Sequence, residues 1–159
     1  MRTWVLGDNV DTDVIVPGRY MKFGIEEIAK HCLEPVLPQF AFSVQKGDVI
    51  VAGRNFGAGS SREQAPAALK HLGVAALVAE SFAGLFYRNC LNLGLPALVC
   101  AQAKQIRDGD RLQVNYDEST IATGSDRSYP FEPIPAHLLE MVRDGGLIPH
   151  LEKRLARTA

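Results

Sequence analysis

The sequence predicts an α/β domain in which a partly parallel sheet is flanked by helices. Three apolar runs, at 48–52, 75–79 and 95–100, are continuous rather than alternating, which is typical of strands buried on both faces. The segments between them, 63–72 and 82–93, are predicted to be helices. Strand, helix, strand, helix, strand is the order that produces parallel strands joined by right-handed crossovers.

The N-terminal part is expected to add one more strand and a short helix. Residues 2–6 are predicted to form the strand, and 26–33 the helix, which the prolines that follow would end. A polar loop at 8–17 lies between them. Residues 36–44 contain proline and aromatic residues and are predicted to loop over the core.

Three acids stand in that polar loop: Asp8, Asp11 and Asp13. For Asp8 and Asp11, an Asx turn, in which the carboxylate bonds to nearby backbone, is as good an interpretation as a functional role. A calcium loop of the EF-hand type does not fit, because its glycine and its last glutamate are misplaced.

The C-terminal third is predicted to contain a hairpin and two helices. Gly73 fits the end of helix 63–72, and helix 82–93 would bury Phe82, Leu85, Phe86 and Leu93 on one face. The remaining predicted elements are a turn at 108–109, hairpin strands at 111–116 and 120–123, an extended segment at 129–133, a helix at 136–143 and a short helix from Pro149.

Composition limits the classes of function. The 159 residues suit one domain, 1–159, and 47% hydrophobic with 22% charged residues is ordinary for a soluble globular protein. A net charge of −1 offers no electrostatic surface for nucleic acid or an anionic membrane. No run approaches the ~18 apolar residues of a membrane span, and a signal peptide is not recognisable, so a cytoplasmic location is expected.

Cysteine and histidine spacing argues against a metal held by this chain alone. The three cysteines, Cys32, Cys90 and Cys100, are far apart and form no Cys-x-x-Cys pair. The four histidines, at 31, 71, 137 and 150, also lack ligand spacing. We therefore expect neither a disulfide framework, nor a zinc site, nor a complete cluster site in this chain.

Residues 53–64 form the most informative segment, and they read Gly-Arg-Asn-Phe-Gly-Ala-Gly-Ser-Ser-Arg-Glu-Gln. Three glycines in seven residues let the backbone approach a ligand closely. Ser60 and Ser61 are expected at a helix start, where unpaired N–H groups and the helix dipole favour an anion. Arg62 adds a planar fork suited to a carboxylate or phosphate. Together they predict an anion site with a group able to transfer a proton.

A capped helix is the alternative interpretation of this segment. Ser60 or Ser61 would then be the N-cap, and Glu63 or Gln64 would complete a capping box. Known nucleotide loops fit poorly, because Gly59 occupies the lysine position of a P-loop and Arg62 the third glycine of a dinucleotide fingerprint.

Residues 55–65 resemble the signature of the small subunits of the aconitase superfamily, which serve as swivel domains in 3-isopropylmalate dehydratase and homoaconitase. The usual form is Asn-Phe-Gly-Cys-Gly-Ser-Ser-Arg-Glu followed by His or Gln; this chain has Ala58 in place of the cysteine, and Gln64. Residues 8–17 resemble the family's Asp-Thr-Asp motif, and 81–89 its second helix. The resemblance implies a swivelling β/β/α domain.

The resemblance also implies a reaction. In such enzymes a 2-hydroxy acid loses water to give an alkene diacid and regains it with hydroxyl and hydrogen exchanged. A [4Fe-4S] cluster on the large subunit acts as Lewis acid. Ser60 matches the base, Ser61 and Arg62 match groups that hold a substrate carboxylate, and Asp13 matches an acid that orients catalytic groups. The chain is then expected to be inactive without the large subunit, and its exposed site surface to self-associate.

Residues 20–22, Tyr-Met-Lys, resemble the family's substrate-recognition loop, in which an arginine accompanies substrates with an extra carboxylate and a small apolar residue accompanies the isopropyl group. Lys22 is neither, and an ordinary exposed lysine is an equal interpretation. Tyr20, Met21 and Lys22 are thus candidate substrate contacts. 3-Isopropylmalate is the first expectation, a homoaconitase or dimethylmalate-type substrate the second, and a non-catalytic anion- or RNA-binding module the third.

Overall fold

A four-stranded parallel sheet forms the centre of the computed structural model, which describes residues 1–158. Its strands stand in chain order, β1-β2-β3-β4, with Thr3 opposite Val49, Val49 opposite Ala76 and Leu77 opposite Ala97. The strands are β1 (Thr3–Val5), β2 (Val49–Ala52), β3 (Ala76–Ala79) and β4 (Ala97–Val99). The predicted parallel sheet and its N-terminal strand are confirmed.

Helices cover one face of this sheet. When parallel strands follow chain order, right-handed crossovers place every connecting helix on the same side. The connecting helices are α1 (Thr12–Ile15), α2 (Ile25–Ala29), α3 (Phe40–Ser43), α4 (Gln64–His71) and α5 (Gly84–Asn92).

A second, antiparallel sheet covers the other face, and two more helices follow it. The predicted hairpin is confirmed, with Val114 opposite Ile121. The later elements are β5 (Leu112–Asn115), β6 (Thr120–Thr123), β7 (Ser128–Pro130), α6 (Ala136–Arg143) and α7 (Leu147–Thr158). Antiparallel sheet, parallel sheet and helices make three layers, as the β/β/α expectation required.

The alternation of side chains along β2 shows why its sequence is apolar throughout. Ile50 and Ala52 join the apolar cluster on the helical side, while Val49 and Val51 join the cluster with the antiparallel sheet. Successive residues of a strand point to opposite faces, so a strand between two cores has no polar face. Full burial of each valine or isoleucine contributes ~1.5–3 kcal/mol.

Several predicted elements differ from those in the structure. The polar loop 8–17 contains helix α1, and α2 ends at Ala29, short of the predicted residue 33, where Leu33 takes a φ of +59°. Residues 36–44 include helix α3, which buries Phe40 edge-on against Trp4 at 5.2 Å. These short helices lie inside loops, where apolar periodicity is too brief to predict them.

The predictions for helices α5 and α7 also need correction. Helix α5 begins at Gly84, so Phe82 precedes it, and Leu85 is 56% exposed instead of buried beside Phe86. Helix α7 begins at Leu147, before Pro149, which a first helical turn tolerates. Within residues 1–158, the structure has no helix that combines the length and the apolar character needed to cross a membrane.

Candidate functional site

The site predicted from sequence lies where β1, β2 and β3 end. The segments that leave these strands continue side by side, because Asp11 forms a bridge with Ala58 and Phe56 forms one with Phe82. Since parallel strands end at one edge, the three segments converge there. Ligand sites of open α/β sheets are found at this carboxyl edge.

Two glycines let these segments approach each other. Gly57 has a φ of +83°, and a Cβ there would lie 2.1 Å from Cγ of Phe86. A Cβ on Gly53 would lie 1.9 Å from Oδ1 of Asp8. At Gly57 a side chain would collide with the Phe86 ring and its Cβ, and at Gly53 it would displace the Asp8 carboxylate, so packing favours glycine at both positions.

Helix α1 holds one side of the loop. The carboxylate of Asp11 accepts a hydrogen bond from the N–H of Val14 at 2.8 Å and caps the helix. The N–H of Thr12 donates to the carbonyl oxygen of Ala58 at 2.8 Å. The buried Thr12 Oγ1 then lies 3.2 Å from Ser60 Oγ, in hydrogen-bond contact. Of the two interpretations of Asp11, the local backbone bond is the one observed.

Arg62 lies beside Asp13 on the same edge. One guanidinium nitrogen, Nη1, is 3.4 Å from Asp13 Oδ1 and 3.5 Å from the carbonyl oxygen of Val16. The same carboxylate oxygen accepts the N–H of Gly18 at 2.8 Å. The structure therefore places residues of two sequence motifs at one edge: Ser60 and Arg62 from residues 55–65, and Asp13 from residues 8–17.

The capping prediction for the serines is wrong. Helix α4 begins at Gln64, its N-cap is Glu63, and no side chain bonds to its first amides. Both Ser60 and Ser61 precede the helix and are exposed, and the carbonyl oxygen of Ser61 accepts a hydrogen bond from Asn89 Nδ2 at 3.2 Å. Because the dipole effect falls off beyond the first turn, it acts on Ser60 less than expected. Neither hydroxyl is used for capping.

Tyr20 is held by neighbours outside the serine loop (residues 59–63). Its ring stacks on His31 with centroids 3.6 Å apart and an interplanar angle of 6°. Its hydroxyl donates to Glu34 at 3.2 Å, and Arg19 donates to the same carboxylate at 2.8 Å. His31, followed by Tyr20 and Arg19, holds the pKa of Glu34 below its usual value. Tyr20 is therefore one of the residues that hold the segment 18–23 in place, and it does not contact Ser60.

The other two recognition residues differ from each other. Met21 packs against the apolar cluster on the helical side of the sheet. Lys22 is exposed, and its ammonium lies 5.3 Å from the centroid of the Phe23 ring. Of the three candidate substrate contacts, Lys22 is the one whose charged end extends into solvent.

Asp8 joins the ends of two strands. Its Oδ1 accepts the N–H of Arg54 at 2.8 Å, and its carboxylate lies 3.0 Å from Lys104 Nζ. The Arg54 hydrogen bond and Lys104 hold the pKa of Asp8 below its usual value. The Asx-turn interpretation is wrong for this residue, since the backbone that it binds is distant in sequence. Asp8 supports the base of the loop.

The cysteines do not fit an iron–sulfur cluster. Cys32, Cys90 and Cys100 are all free and buried. Burial raises the pKa of Cys32 to about 12, and it raises the pKa values of the other two as well. Over residues 1–158, no group of three His, Cys, Asp or Glu side chains could hold a metal ion. The described part of this chain offers no ligand set for a cluster.

Sequence reasoning assigned no role to Thr12, Asn89, Glu34 or His31. Thr12 and Asn89 lie inside the motifs at 8–17 and 81–89, but their partners, Ser60 and Ser61, are distant in sequence. The contact of Glu34 with His31 is at helical i,i+3 spacing, which was a detectable signal.

Comparison with known proteins gives consistent matches. Residues 15–103 match the family model described as aconitase C-terminal domain. The chain is 49% identical to the methanogen homoaconitase small subunit of Methanothermobacter thermautotrophicus, over 97% of this chain and 91% of that one. It is 47% identical to 3-isopropylmalate dehydratase small subunit 1 of Archaeoglobus fulgidus, over 92% of each chain.

A solved structure agrees with these relatives. The crystal structure of 3-isopropylmalate dehydratase (leuD) from Methanocaldococcus jannaschii superposes with a TM-score of 0.94 at 40% identity, covering 99% of this chain and 95% of that one. With the family model matching more than half of its residues, the chain belongs to the aconitase C-terminal domain family.

Proposed function

We propose that this chain is the small subunit of a heteromeric hydro-lyase that dehydrates and rehydrates a 2-hydroxy di- or tricarboxylic acid, with 3-isopropylmalate as the first candidate substrate. The observation that carries the proposal is the exposed Ser60 hydroxyl, supported by buried Thr12 at 3.2 Å, on the edge that also presents Arg62. The names of the relatives, 3-isopropylmalate dehydratase and homoaconitase small subunits, support the substrate class.

Arg62 is the proposed carboxylate-binding group. Its pairing with the mostly exposed Asp13 is a surface contact at 3.4 Å, and such pairs contribute ~0–1 kcal/mol. A substrate carboxylate can engage the remaining guanidinium N–H donors in a bidentate manner, while Asp13 keeps the fork oriented. Ser61 is proposed to add a hydroxyl to the same carboxylate.

Ser60 is the proposed base. In its deprotonated form, Oγ takes the proton from the carbon next to the bound carboxylate and becomes a hydroxyl, while the C–H electron pair forms the double bond. The C–O bond of the neighbouring carbon breaks, and the hydroxyl group takes up a proton and leaves as water. Addition of water with the two positions exchanged completes the isomerisation. Such positioned proton transfer contributes ~10²–10⁴-fold in rate.

The large subunit is the proposed partner. Residues 1–158 supply the proposed base and the proposed carboxylate-binding group but no fitting ligands for the [4Fe-4S] cluster, which we place on the partner. The exposed Leu85 lies one helical turn before Asn89, which bonds to the serine loop. This apolar side chain beside an open site is suited to contact the covering subunit.

The proposal is tested by co-expression with the large subunit encoded in the same genome. The complex is assayed with 3-isopropylmalate, homocitrate and dimethylmalate. We expect turnover of at least one acid by the complex and none by this chain alone. A chain that turns over substrate alone at the rate of the complex would falsify the requirement for the partner. A complex inactive on all three acids would contradict the proposed reaction.

Self-association is tested by light scattering of the chain with and without the large subunit. We expect oligomers of the isolated chain that give way to a defined complex. A strict monomer that ignores the large subunit would contradict both the self-association and the partnership.

A further inference from the structure

We propose that Thr12 is a positioning residue, whose buried hydroxyl donates a hydrogen bond to Ser60 Oγ and stabilises its deprotonated form. The proposal rests on the role proposed above for Ser60 as the base. The family resemblance gives this threonine side chain no role, so its role is inferred from its contacts.

The position of the Thr12 hydroxyl is determined by several contacts. The residue is 1% exposed, its N–H donates to the carbonyl oxygen of Ala58 at 2.8 Å, and its own carbonyl oxygen accepts from Val16 at 2.9 Å. The cap formed by Asp11 fixes the first turn of α1. A donor held in this way needs no reorganisation when charge develops on its partner.

Ser60 Oγ is the hydrogen-bond partner found for Thr12 Oγ1 within residues 1–158. The 3.2 Å separation is longer than the ~2.7–2.8 Å typical of hydroxyl pairs. An ionised acceptor shortens and strengthens such a bond, and contacts in a free site commonly tighten only in the reacting complex. In the proposed reaction, Thr12 must donate, because an alkoxide has no proton to give.

Consecutive residues of one helical turn therefore serve the two halves of the site. Thr12 contacts the proposed base, and Asp13 contacts the proposed carboxylate-binding group, Arg62. Helix α1 is capped by Asp11 and buries Thr12 and Ile15, so it holds the two groups at a fixed separation. In this arrangement each residue of the Asp-Thr-Asp sequence has a physical role: Asp11 caps the helix, Thr12 donates a hydrogen bond, and Asp13 orients Arg62.

The test compares Thr12→Val and Thr12→Ser in the complex with the large subunit. Valine keeps the shape and removes the hydroxyl, whereas serine keeps the hydroxyl. We expect Thr12→Val to lower kcat by about 10- to 100-fold, at or below the 10²–10³-fold cost of one oxyanion donor. KM should stay within about twofold, and the kcat–pH profile should shift to higher pH, because the serine becomes harder to deprotonate. Thr12→Ser should restore both kcat and the profile.

Thr3→Val is the matched control. Thr3 is also a fully buried threonine, and its hydroxyl donates to the carbonyl oxygen of Arg107 at 2.7 Å, away from the serine loop. Its loss should lower the melting temperature about as much as Thr12→Val does, with kcat unchanged. Equal losses of kcat in the two valine variants would assign the effect to stability and overturn the proposal, as would an unchanged kcat in Thr12→Val or a failed rescue by serine.

A crystal structure of the Thr12→Val chain gives a readout that does not depend on turnover. We expect Ser60 Oγ to leave its native position or to occupy more than one rotamer. An unmoved Oγ would overturn the positioning role. If the native complex turned over none of the three acids, the proposed function would fail, and this structural comparison would still decide whether Thr12 positions Ser60.

Discussion

The α1 segment, residues 11–16, and the serine loop, residues 59–63, face each other but are built differently. The α1 segment has a side-chain cap at Asp11 and buries Thr12 and Ile15. The serine loop has exposed hydroxyls and leads into a helix whose N-terminus has no side-chain cap. The support for the site is thus internal to the chain, while the groups proposed to react are left open. A site completed by substrate and a partner is expected to have this division.

The largest effect should come from removing the proposed base on the open side. Ser60→Ala is expected to lower kcat of the complex by ~10²–10⁴-fold. Ser60 caps no helix, so the free energy of unfolding of the variant should fall only by the lost hydrogen bond to Thr12, ~0.5–1.5 kcal/mol. Rate and melting curve are measured on the same preparation, and the rate decides the role. An unchanged rate, whatever the change in stability, would remove Ser60 from the mechanism.

Arg62→Lys should have the next largest effect. Lysine keeps the charge but loses the bidentate fork, and weakening a buried carboxylate contact can cost ~2–5 kcal/mol in the covered complex. We expect kcat/KM to fall by tens- to thousands-fold. Arg54→Lys is the control, since Arg54 lies in the same segment, is exposed and pairs with Asp8 at 3.5 Å. Similar losses of kcat/KM in both variants would show that any arginine-to-lysine change in this segment lowers activity, and that the guanidinium fork of Arg62 has no special role.

Lys22→Val tests substrate choice and should have a smaller effect. If the exposed ammonium contacts a third carboxylate, kcat/KM for homocitrate should fall while the value for 3-isopropylmalate holds or rises. The pair of values is measured on native and variant complexes. If both values stay within about twofold, well under the tenfold that 1.36 kcal/mol represents, Lys22 does not contact the variable group.

The smallest effect is expected at Glu34, the carboxylate that accepts a hydrogen bond from the Tyr20 hydroxyl. The pKa of Glu34 is lowered, chiefly by His31, so this carboxylate is ionised above the ordinary glutamate range and protonated only as pH falls through the lowered value. Its contribution to holding residues 18–23 should be present near neutral pH and lost in acid. Hydrogen exchange of this segment is the measurement, and Glu34→Gln should show faster exchange at neutral pH.

Glu26→Gln is the control for that measurement, because Glu26 is an exposed glutamate on α2. It should leave exchange of residues 18–23 unchanged. Native exchange that does not accelerate in acid, or equal acceleration by both substitutions at neutral pH, would contradict the role given to Glu34.

The elements with long apolar patterns could be predicted from sequence. Strands 48–52 and 75–79 were predictable because burial on both faces requires an unbroken apolar run. Leu85 was placed wrongly, because helix α5 begins later than its apolar residues suggest. Motif matches identified Ser60 and Arg62 as site candidates. The support from Thr12 could not be predicted, because the two residues are 48 positions apart and only the folded sheet edge brings them together.

The chain is proposed to supply the base to a complex with the large subunit. Titrating small subunit into a fixed amount of large subunit, with turnover of 3-isopropylmalate, homocitrate and dimethylmalate as the readout, tests this role most directly. For at least one acid, native chain should raise the rate to saturation. Ser60→Ala should raise none, and added to the native complex it should reduce the rate by competing for the same large subunit. A Ser60→Ala chain that sustains the native rate would contradict the claim.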